Sequence, residues 1–291
     1  MKVYAYDFFD TVVHRDCMPE DCIREWCNKI SACFDFSINS DELFNIRKES
    51  REYGKSFYAK EETTYEELMH LTYEKCISKG YEIPLNESEF IDIAKEIEIA
   101  VEKKHIYKDD KVVRRIRKNK LHNRCILISD FYAGSFFYDE ILKELGISDC
   151  FDELYISADI GYRKCSGKLY DYVLEKEKIK ANCLWMHGDN IYSDVRIPYR
   201  KGMRAIYMSY KHLNSKKQYQ YLWQTSFGNV EEKPFNGIIM EMFYFCTRLH
   251  EELIKRGYRD VLFCSREGQL LMKLFNVYQQ EMGNMKWGGY Q

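Results

Sequence analysis

The sequence predicts an α/β fold with a parallel sheet, interrupted near its start by an all-helical insertion. From about residue 109 onward, short apolar segments that suit buried strands alternate with amphipathic helical segments, and this alternation is typical of parallel sheets with helical crossovers. Residues 16–108 show only helical periodicity. Polar side chains follow several apolar segments, at the ends where parallel strands place ligand-binding groups.

The first strand is predicted in residues 2–9, where KVYAYDFF alternates and then becomes apolar. Four helices are then expected before residue 109. Their starts are marked by residues that begin or cap helices: Pro19, Ser40, Thr64 with Glu67, and Asn86 with Glu89.

Later strands are predicted in RCILIS, ELYIS, NCLWMH and RAIYM, each after a helix, and the helix YSDVRIPYRKG is unusual because it contains Pro198. Residues 211–235 are polar and are expected to form a segment that connects the preceding elements to residues 236–291. Residues 236–291 predict an amphipathic helix, then a strand and a helix. Because a lone strand cannot satisfy its backbone, it either joins an edge of the first sheet or belongs to a further domain of a longer parent protein. We favour the second interpretation, in which this chain is a fragment of a longer protein.

Composition excludes several classes of protein. The net charge of -2 provides no basic field for nucleic acid, and no apolar run approaches the roughly 20 residues of a membrane span. No signal peptide is visible, and the 11 cysteines include no Cys-x-x-Cys pair. Cys17, Cys22, Cys27 and Cys33 cluster, but their spacing does not match the usual zinc patterns. Reduced structural thiols in the cytoplasm are the expectation.

Four clusters carry the chemistry, in the order Asp7, Ser129, Lys164, and Asp189 with Asp194. Each polar group follows, or nearly follows, a predicted strand. The carboxyl ends of parallel strands meet at one edge of a sheet, so these groups are expected to converge there. An acid, a hydroxyl, an amine and two further acids would suit a metal ion and a phosphoryl-like group.

This constellation resembles the haloacid dehalogenase (HAD) superfamily of hydrolases over roughly residues 1–210. The spacings agree, because Lys164 lies six residues before Tyr170 and Asp189 lies five before Asp194. The resemblance implies a Rossmann-like core from residues 1–15 and 109–210, and a helical cap in 16–108 that covers the site and selects substrate. Residues 211–235 would connect this core to residues 236–291.

The resemblance also implies a role for each residue. Asp7 would be the nucleophile, while Ser129 and Lys164 would hold the transferred group. Candidates for ordering the loop or binding substrate are Thr11, Asp10 and Asp130. A Mg2+ ion would be held by Asp7, the backbone carbonyl of Phe9, Asp189 and Asp194.

One position departs from the phosphatases of this superfamily. They usually carry Asp-x-Asp, whose second Asp is the general acid and base, and here that position is Phe9. If the pleat of the strand continues, Asp10 faces away from Asp7 and can replace the missing acid only through a bulge or turn. The pattern Asp-Phe-Phe-Asp-Thr resembles a hydrolase subgroup often linked with bacterial surface-polysaccharide genes.

Three functions remain open at this point. The leading one is a Mg2+-dependent phosphatase acting on a phosphorylated small molecule, with phosphosugars among the candidates, through an aspartyl phosphate on Asp7. The second is dehalogenase-like hydrolysis of a carbon–halogen bond, since dehalogenases of this superfamily are known with an aromatic residue at the position of Phe9. The third is a catalytically degenerate domain that binds a ligand or scaffolds a polysaccharide-building protein.

Overall fold

The computed structural model describes residues 2–34 and 37–208, and in the carboxyl-terminal region residues 242, 245–246, 249–250, 253, 256, 258, 260–264, 267–281 and 288–290. The chain divides into two compact units, residues 3–173 and residues 174–291, with Lys2 grouped with the second. Three parallel strands form a sheet in the first unit, and two further parallel strands pair in the second. The predicted α/β fold is therefore confirmed.

The strands in chain order are β1 (Val3–Tyr6), β2 (Val13–Arg15), β3 (Ile106–Lys108), β4 (Arg124–Ser129), β5 (Glu153–Ile156), β6 (Leu184–Gly188), β7 (Arg204–Tyr207), β8 (Asp260–Leu262) and β9 (Gly288–Tyr290). The α-helices are α1 (Pro19–Cys33), α2 (Ser40–Phe57), α3 (Tyr65–Ser78), α4 (Glu87–His105), α5 (Asp110–Lys120), α6 (Ser135–Glu144), α7 (Ser157–Ile160), α8 (Lys168–Glu177), α9 (Ile197–Arg200) and α10 (Glu267–Glu281). Shorter turns of 3-10 helix occur at Ser148–Cys150 and Ala181–Cys183, and a π-helical turn at Ile191–Arg196.

In the first unit, β4 lies between β5 and β1. It pairs in parallel with β1, with Tyr6 opposite Leu127, and in parallel with β5, with Ser129 opposite Ile156. The side chains of β4 are almost all buried, as expected for a strand covered on both faces. This register brings the carboxyl ends of the three strands to one edge.

The insertion consists of α1–α4 and lies between β2 and β3, which pair antiparallel. Helix α1 packs against α2 and α4, and α3 packs against α2 and α4. Its interior is apolar and includes Trp26, Leu43 and Phe90, all fully buried. The helices predicted for residues 16–108 are thus present.

A buried polar network joins these helices. Glu98 on α4 accepts hydrogen bonds from Arg47 Nη2 on α2 (2.7 Å) and from the hydroxyl of Tyr65 on α3 (3.2 Å). It also accepts one from Tyr132 (2.5 Å), which lies just beyond β4. Burying a charge is tolerable only when it is paired and hydrogen-bonded, and here both conditions are met.

The helix starts follow the predicted capping chemistry with one correction. Thr64 with Glu67 and Asn86 with Glu89 form the two expected capping boxes, and Pro19 is the first residue of α1. Ser40 is not the cap of α2. The Asn39 side chain accepts the backbone N–H of Glu42, which makes Ser40 the first helical residue.

In the second unit, β6 pairs in parallel with β7, with Gly188 opposite Tyr207. The chain between them forms the π-helical turn and α9, where Pro198 occupies the second position and needs no hydrogen-bonded N–H. Strand β8 pairs with β9 in a separate two-stranded parallel sheet, so the predicted strand near 260–264 does not belong to the sheet that contains β6 and β7.

The predicted connecting segment, 211–235, lies outside the described residues, as does most of the predicted helix near 237–256. In the part of the chain that is described, no helix combines the length and apolar character needed to cross a bilayer.

Candidate active site

Asp7 lies immediately after β1, in a buried position with 7% exposure. The preceding strand is apolar and well paired with β4. Asp7 is therefore presented at the carboxyl edge of the sheet by a strand that has little freedom to move. Its partners decide what it can do chemically.

Lys164 is the cation that reaches this carboxylate. Its side chain is 3% exposed, and Nζ donates to Asp7 Oδ1 at 2.6 Å. The two neighbouring cations are used elsewhere: Lys168 pairs with Glu61 at 2.7 Å, and Arg163 Nε lies 3.5 Å from Glu62. Among these three side chains, Lys164 is the one ion-paired with Asp7.

Asp130 positions the loop that carries Lys164. Its two carboxylate oxygens accept the backbone N–H of Lys164 at 2.9 and 3.2 Å, and its Oδ2 lies 3.6 Å from Arg163 Nε. Asp130 directly follows β4, so it fixes the loop after α7 relative to that strand end. Of the two roles expected for Asp130, the observed contacts correspond to steering a loop.

Ser129 is the last residue of β4 and is buried. Tyr138 on α6 donates its hydroxyl to Ser129 Oγ at 2.9 Å. Burial raises the pKa of Tyr138 well above its ordinary value, so the phenol stays a donor. Because Ser129 Oγ accepts this bond, its own hydrogen can be given to a bound group.

The chain turns sharply after Asp7, which corrects the assumption of a continuing pleat. Strand β1 ends at Tyr6, and the carbonyl of Phe8 accepts the backbone N–H groups of Val12 and Val13 at 2.8 and 3.0 Å. Asp10 sits in this turn with φ of 57°, a left-handed conformation that Asp tolerates better than most residues. Alternation along a strand therefore does not decide where its side chain points.

The other predicted residues of this turn are placed as follows. Asp10 Oδ1 lies 3.8 Å from Nδ1 of His14, which is on strand β2. His14 also faces Asp109, at 3.7 Å from its Nε2. Thr11 is buried within the turn. The loop-ordering role expected for Thr11 stays a prediction.

Phe9 packs in an aromatic cluster. Its ring centre is 5.0 Å from that of Phe8 and 4.7 Å from that of Phe131. The guanidinium of Arg15 lies over the ring at 3.8 Å, and Arg15 is itself paired with Glu102 at 2.8 and 2.9 Å. The position that carries an acid in related phosphatases is here a packed, apolar surface beneath a cation.

The second unit carries two buried acids after β6. Asp189 follows Gly188 directly, and Asp194 lies in the π-helical turn with 0% exposure. Asp194 Oδ2 accepts the N–H of Asn190 at 3.1 Å, and a Cβ at Gly188 would lie only 2.3 Å from that oxygen. The glycine is therefore required for this close approach. Two buried carboxylates in one loop offer the oxygen ligands that Mg2+ prefers.

Sequence reasoning missed two residues that shape the site, Tyr138 and Glu102. The hydroxyl of Tyr138 supports Ser129, and the Arg15–Glu102 pair buttresses Phe9. Tyr138 follows Ser129 by nine residues and lies on the next predicted helix, so it could have been considered as a partner of Ser129. The partner of Arg15 is 87 residues away, and no local signal could have identified it.

Several solved structures are similar to this chain. A 2-haloacid dehalogenase from Pseudomonas syringae aligns with a TM-score of 0.55 and 18% identity, covering 75% of this chain and 91% of that one. An L-2-haloacid dehalogenase from Xanthobacter autotrophicus gives 0.48 and 11%, covering 80% and 85%. A HAD phosphatase from Thermococcus onnurineus gives 0.46 and 14%, covering 74% and 90%.

No match was found among curated protein sequences. The family model of the haloacid dehalogenase-like hydrolases matches residues 1–197, which is more than half of the chain. This span includes Asp7, Ser129, Lys164 and both acids of the second unit. By this match, together with the parallel sheet and the residues at its strand ends, the chain belongs to the haloacid dehalogenase-like hydrolases.

Proposed function

We propose that this chain is a Mg2+-dependent hydrolase that removes a phosphoryl group from a small molecule, with Asp7 as its nucleophile. The observation that carries the proposal is the buried ion pair between Lys164 Nζ and Asp7 Oδ1, 2.6 Å apart. An ammonium at this distance favours the charged form of a carboxylate. The same ammonium is placed to attract an oxygen of an incoming anionic group.

The proposed reaction has two displacements. An oxygen of Asp7 attacks phosphorus, the bond from phosphorus to the leaving oxygen breaks, and an aspartyl phosphate forms. Water then attacks this phosphate, which releases inorganic phosphate and restores Asp7. Lys164 and Ser129 would hold the phosphoryl oxygens during both steps, which is the positioning and electrostatic work that phosphoryl transfer requires.

The proposed metal ligands are Asp7, the backbone carbonyl of Phe9, Asp189 and Asp194. Support comes from the chemistry of the donors, because all are hard oxygen ligands of the kind that suits Mg2+. Asp189 and Asp194 are also buried, where a carboxylate gains more from a bound cation than it does in water. When bound, Mg2+ would offset the repulsion between the nucleophile and the phosphate.

The leaving group is the open point of this mechanism. Phe9 has no proton to donate, and general acid help contributes about 10²–10⁴-fold. We therefore infer a substrate with a good leaving group or one that supplies its own proton. The resemblance of the first motif to hydrolases linked with surface-polysaccharide genes makes phosphosugars the first class to test.

The aromatic side chain of Phe9 favours a second candidate, the hydrolysis of a carbon–halogen bond. A halide needs no proton to leave, so an apolar surface at position 9 is no handicap there. The two buried acids of the second unit have no evident use in that reaction, which is why we place it second.

The experiment compares three substrates and four proteins. Wild type, Asp7→Asn and Asp189→Asn are assayed with an aryl phosphate, an alkyl phosphate and a 2-haloacid, each with and without Mg2+. The matched control is Asp139→Asn, since Asp139 is an exposed acid on α6. The proposal expects Mg2+-dependent aryl phosphate hydrolysis that both site variants lose and the control keeps.

Two results would contradict this proposal. Halide release independent of Mg2+ would establish the second candidate. Saturable Mg2+ binding without turnover of any substrate would instead indicate a catalytically degenerate binding module. A shift in Tm detects the binding itself, because an ion at 100 times its Kd stabilises the folded state by about 2.7 kcal/mol.

A further inference from the structure

A second group of metal-ligand side chains lies where the helical insertion joins the core, and none of its members belongs to the candidate active site. Asp16 and Cys17 follow β2, and His105 is the last residue of α4, immediately before β3. The two segments run side by side, since Arg15 is opposite Ile106 and the N–H of Asp16 donates to the carbonyl of His105 at 3.1 Å.

The donor atoms of these residues converge. One carboxylate oxygen of Asp16, the Cys17 thiol sulfur and one ring nitrogen of His105 all lie within 4.8 Å of one another. The buried thiol of Cys22 adds a fourth donor, with its Sγ 3.4 Å from Cys17 Sγ. In a tetrahedral zinc site, ligand atoms at about 2.0–2.3 Å from the ion are roughly 3.3–3.8 Å from each other. The donors of Asp16, Cys17 and His105 are already near that spacing, whereas the sulfur of Cys22, which is close to Cys17, would have to rotate toward the other two donors to complete the site.

The outer partners of His105 also match a metal site. Its Nδ1 faces Asp16 Oδ1 at 2.7 Å, while its Nε2 lies 2.9 Å from Glu25 Oε2. Glu25 is held in turn by Lys104 Nζ at 2.9 and 3.0 Å. Metal-bound histidines usually donate their other ring N–H to a carboxylate, which fixes the ring and its tautomer. Glu25 is already in that place.

We propose that Asp16, Cys17, Cys22 and His105 form a binding site for Zn2+, with Glu25 orienting the histidine. Two sulfurs, one nitrogen and one carboxylate oxygen suit a borderline-soft ion and not Mg2+, which takes oxygen ligands. The ion would displace the two thiol protons and the proton shared between His105 and Asp16. It would cross-link the two segments that attach the insertion to the core.

The site could not be identified from sequence spacing. The four residues between Cys17 and Cys22 fall within the range that zinc sites use, but one such pair does not define a site, and the histidine lies 89 residues beyond Asp16. The proposal is independent of the proposed function, because none of its ligands is a nucleophile, phosphoryl ligand or Mg2+ ligand there.

The test is a Co2+ titration of the full chain, kept reduced with a phosphine, followed by displacement with Zn2+. Co2+ bound to thiolates gives a ligand-to-metal charge-transfer band in the near ultraviolet, which carboxylate ligands alone do not give. The wild type should show this band at one ion per chain and lose it on adding Zn2+. Zn2+ should also raise the Tm.

Variants separate this site from other cysteines and from the active site. Cys17→Ser and His105→Asn should each weaken Zn2+ binding by more than the about 10–100-fold expected for Glu25→Gln, which removes an outer partner. Cys33→Ser is the matched control, because Cys33 is an exposed thiol on the same helix as Cys22. That control and Asp189→Asn should keep the band unchanged.

Three results would overturn the proposal. One is the absence of the charge-transfer band in reduced wild type. Another is a band unchanged in His105→Asn. The third is an equal loss of binding in Cys33→Ser and Cys17→Ser. Far-ultraviolet circular dichroism shows that each variant is folded, and the exposed position of Asp16 leaves an approach from solvent.

Discussion

Removing one partner of the Arg47–Glu98 pair should destabilise the helical insertion strongly. Arg47 is 3% exposed and Glu98 is 2% exposed, and their charged atoms are 2.7 Å apart. Glu98→Leu would leave the buried guanidinium without its carboxylate, which costs about 3–5 kcal/mol. That is a large share of the roughly 5–15 kcal/mol by which domains are stable. Arg47→Met should cost a similar amount by stranding Glu98.

The double variant Arg47→Met/Glu98→Leu should be much more stable than the two single effects predict. It removes both charges together, and similar apolar replacements of buried pairs are often neutral. The hydroxyl of Tyr65 keeps the carbonyl of Ala94 at 2.8 Å as an acceptor, but Tyr132 loses its bond to Glu98. A residual cost of about 1–3 kcal/mol is expected for that one hydroxyl.

Urea unfolding with linear extrapolation measures these free energies. The matched control is Glu20→Leu, which breaks an exposed pair with Arg24 in the same insertion and should cost less than about 1 kcal/mol. The reasoning is refuted if Glu98→Leu costs no more than this control. It is also refuted if the double variant equals the sum of the singles, since a coupled pair cannot be additive.

Three further predictions concern the site and the second unit. Asp130→Asn should lower kcat about tenfold, or about 1.4 kcal/mol, with little change in KM, because it loosens the loop that holds Lys164; an unchanged kcat would show that this loop needs no anchor. Phe9→Asp should leave the hydrolysis of alkyl phosphates unimproved, because Arg15, 3.8 Å above the present ring, would keep the pKa of the new carboxyl low; a rate gain with poor leaving groups would contradict this. Burial lowers the pKa of His250 to about 4, whereas in the unfolded chain the imidazole binds a proton near pH 6.5. The free energy of unfolding should therefore fall by up to about 3 kcal/mol as pH falls from about 6.5 to 4. This stability is fully present above pH 6.5, and His250→Phe should flatten the profile measured by urea unfolding at each pH.

Local sequence chemistry was enough to predict the elements of the fold and several of their ends. The capping boxes at Thr64 and Asn86 depend on residues three positions apart, and both form as expected. Strand β4 occupies the whole of the predicted RCILIS segment. These features could be predicted because their causes lie within a few residues of each other.

The turn directly after Asp7 was not predicted, because its local signals are weak. The segment from Phe8 to Val13 contains neither Gly nor Pro, and its apolar residues suggest a continuing strand. The turn is made by three-dimensional packing, with Phe9 enclosed by Phe131 and Arg15. Contacts between distant parts of the chain decided the conformation here, as they decided the partner of Arg15.

The antiparallel pairing of β2 with β3 has a consequence for how such hydrolases diversify. The insertion leaves the core after Arg15 and returns at Ile106, and these two residues are opposite each other in the antiparallel pair of β2 and β3. An exchange of everything between them would demand no rearrangement of strands β1, β4 and β5, since both ends of a replacement start side by side. One residue limits that freedom. Arg15 stays with the core while its partner Glu102 leaves with the insertion, so any successful replacement must bring a new acid to the same place.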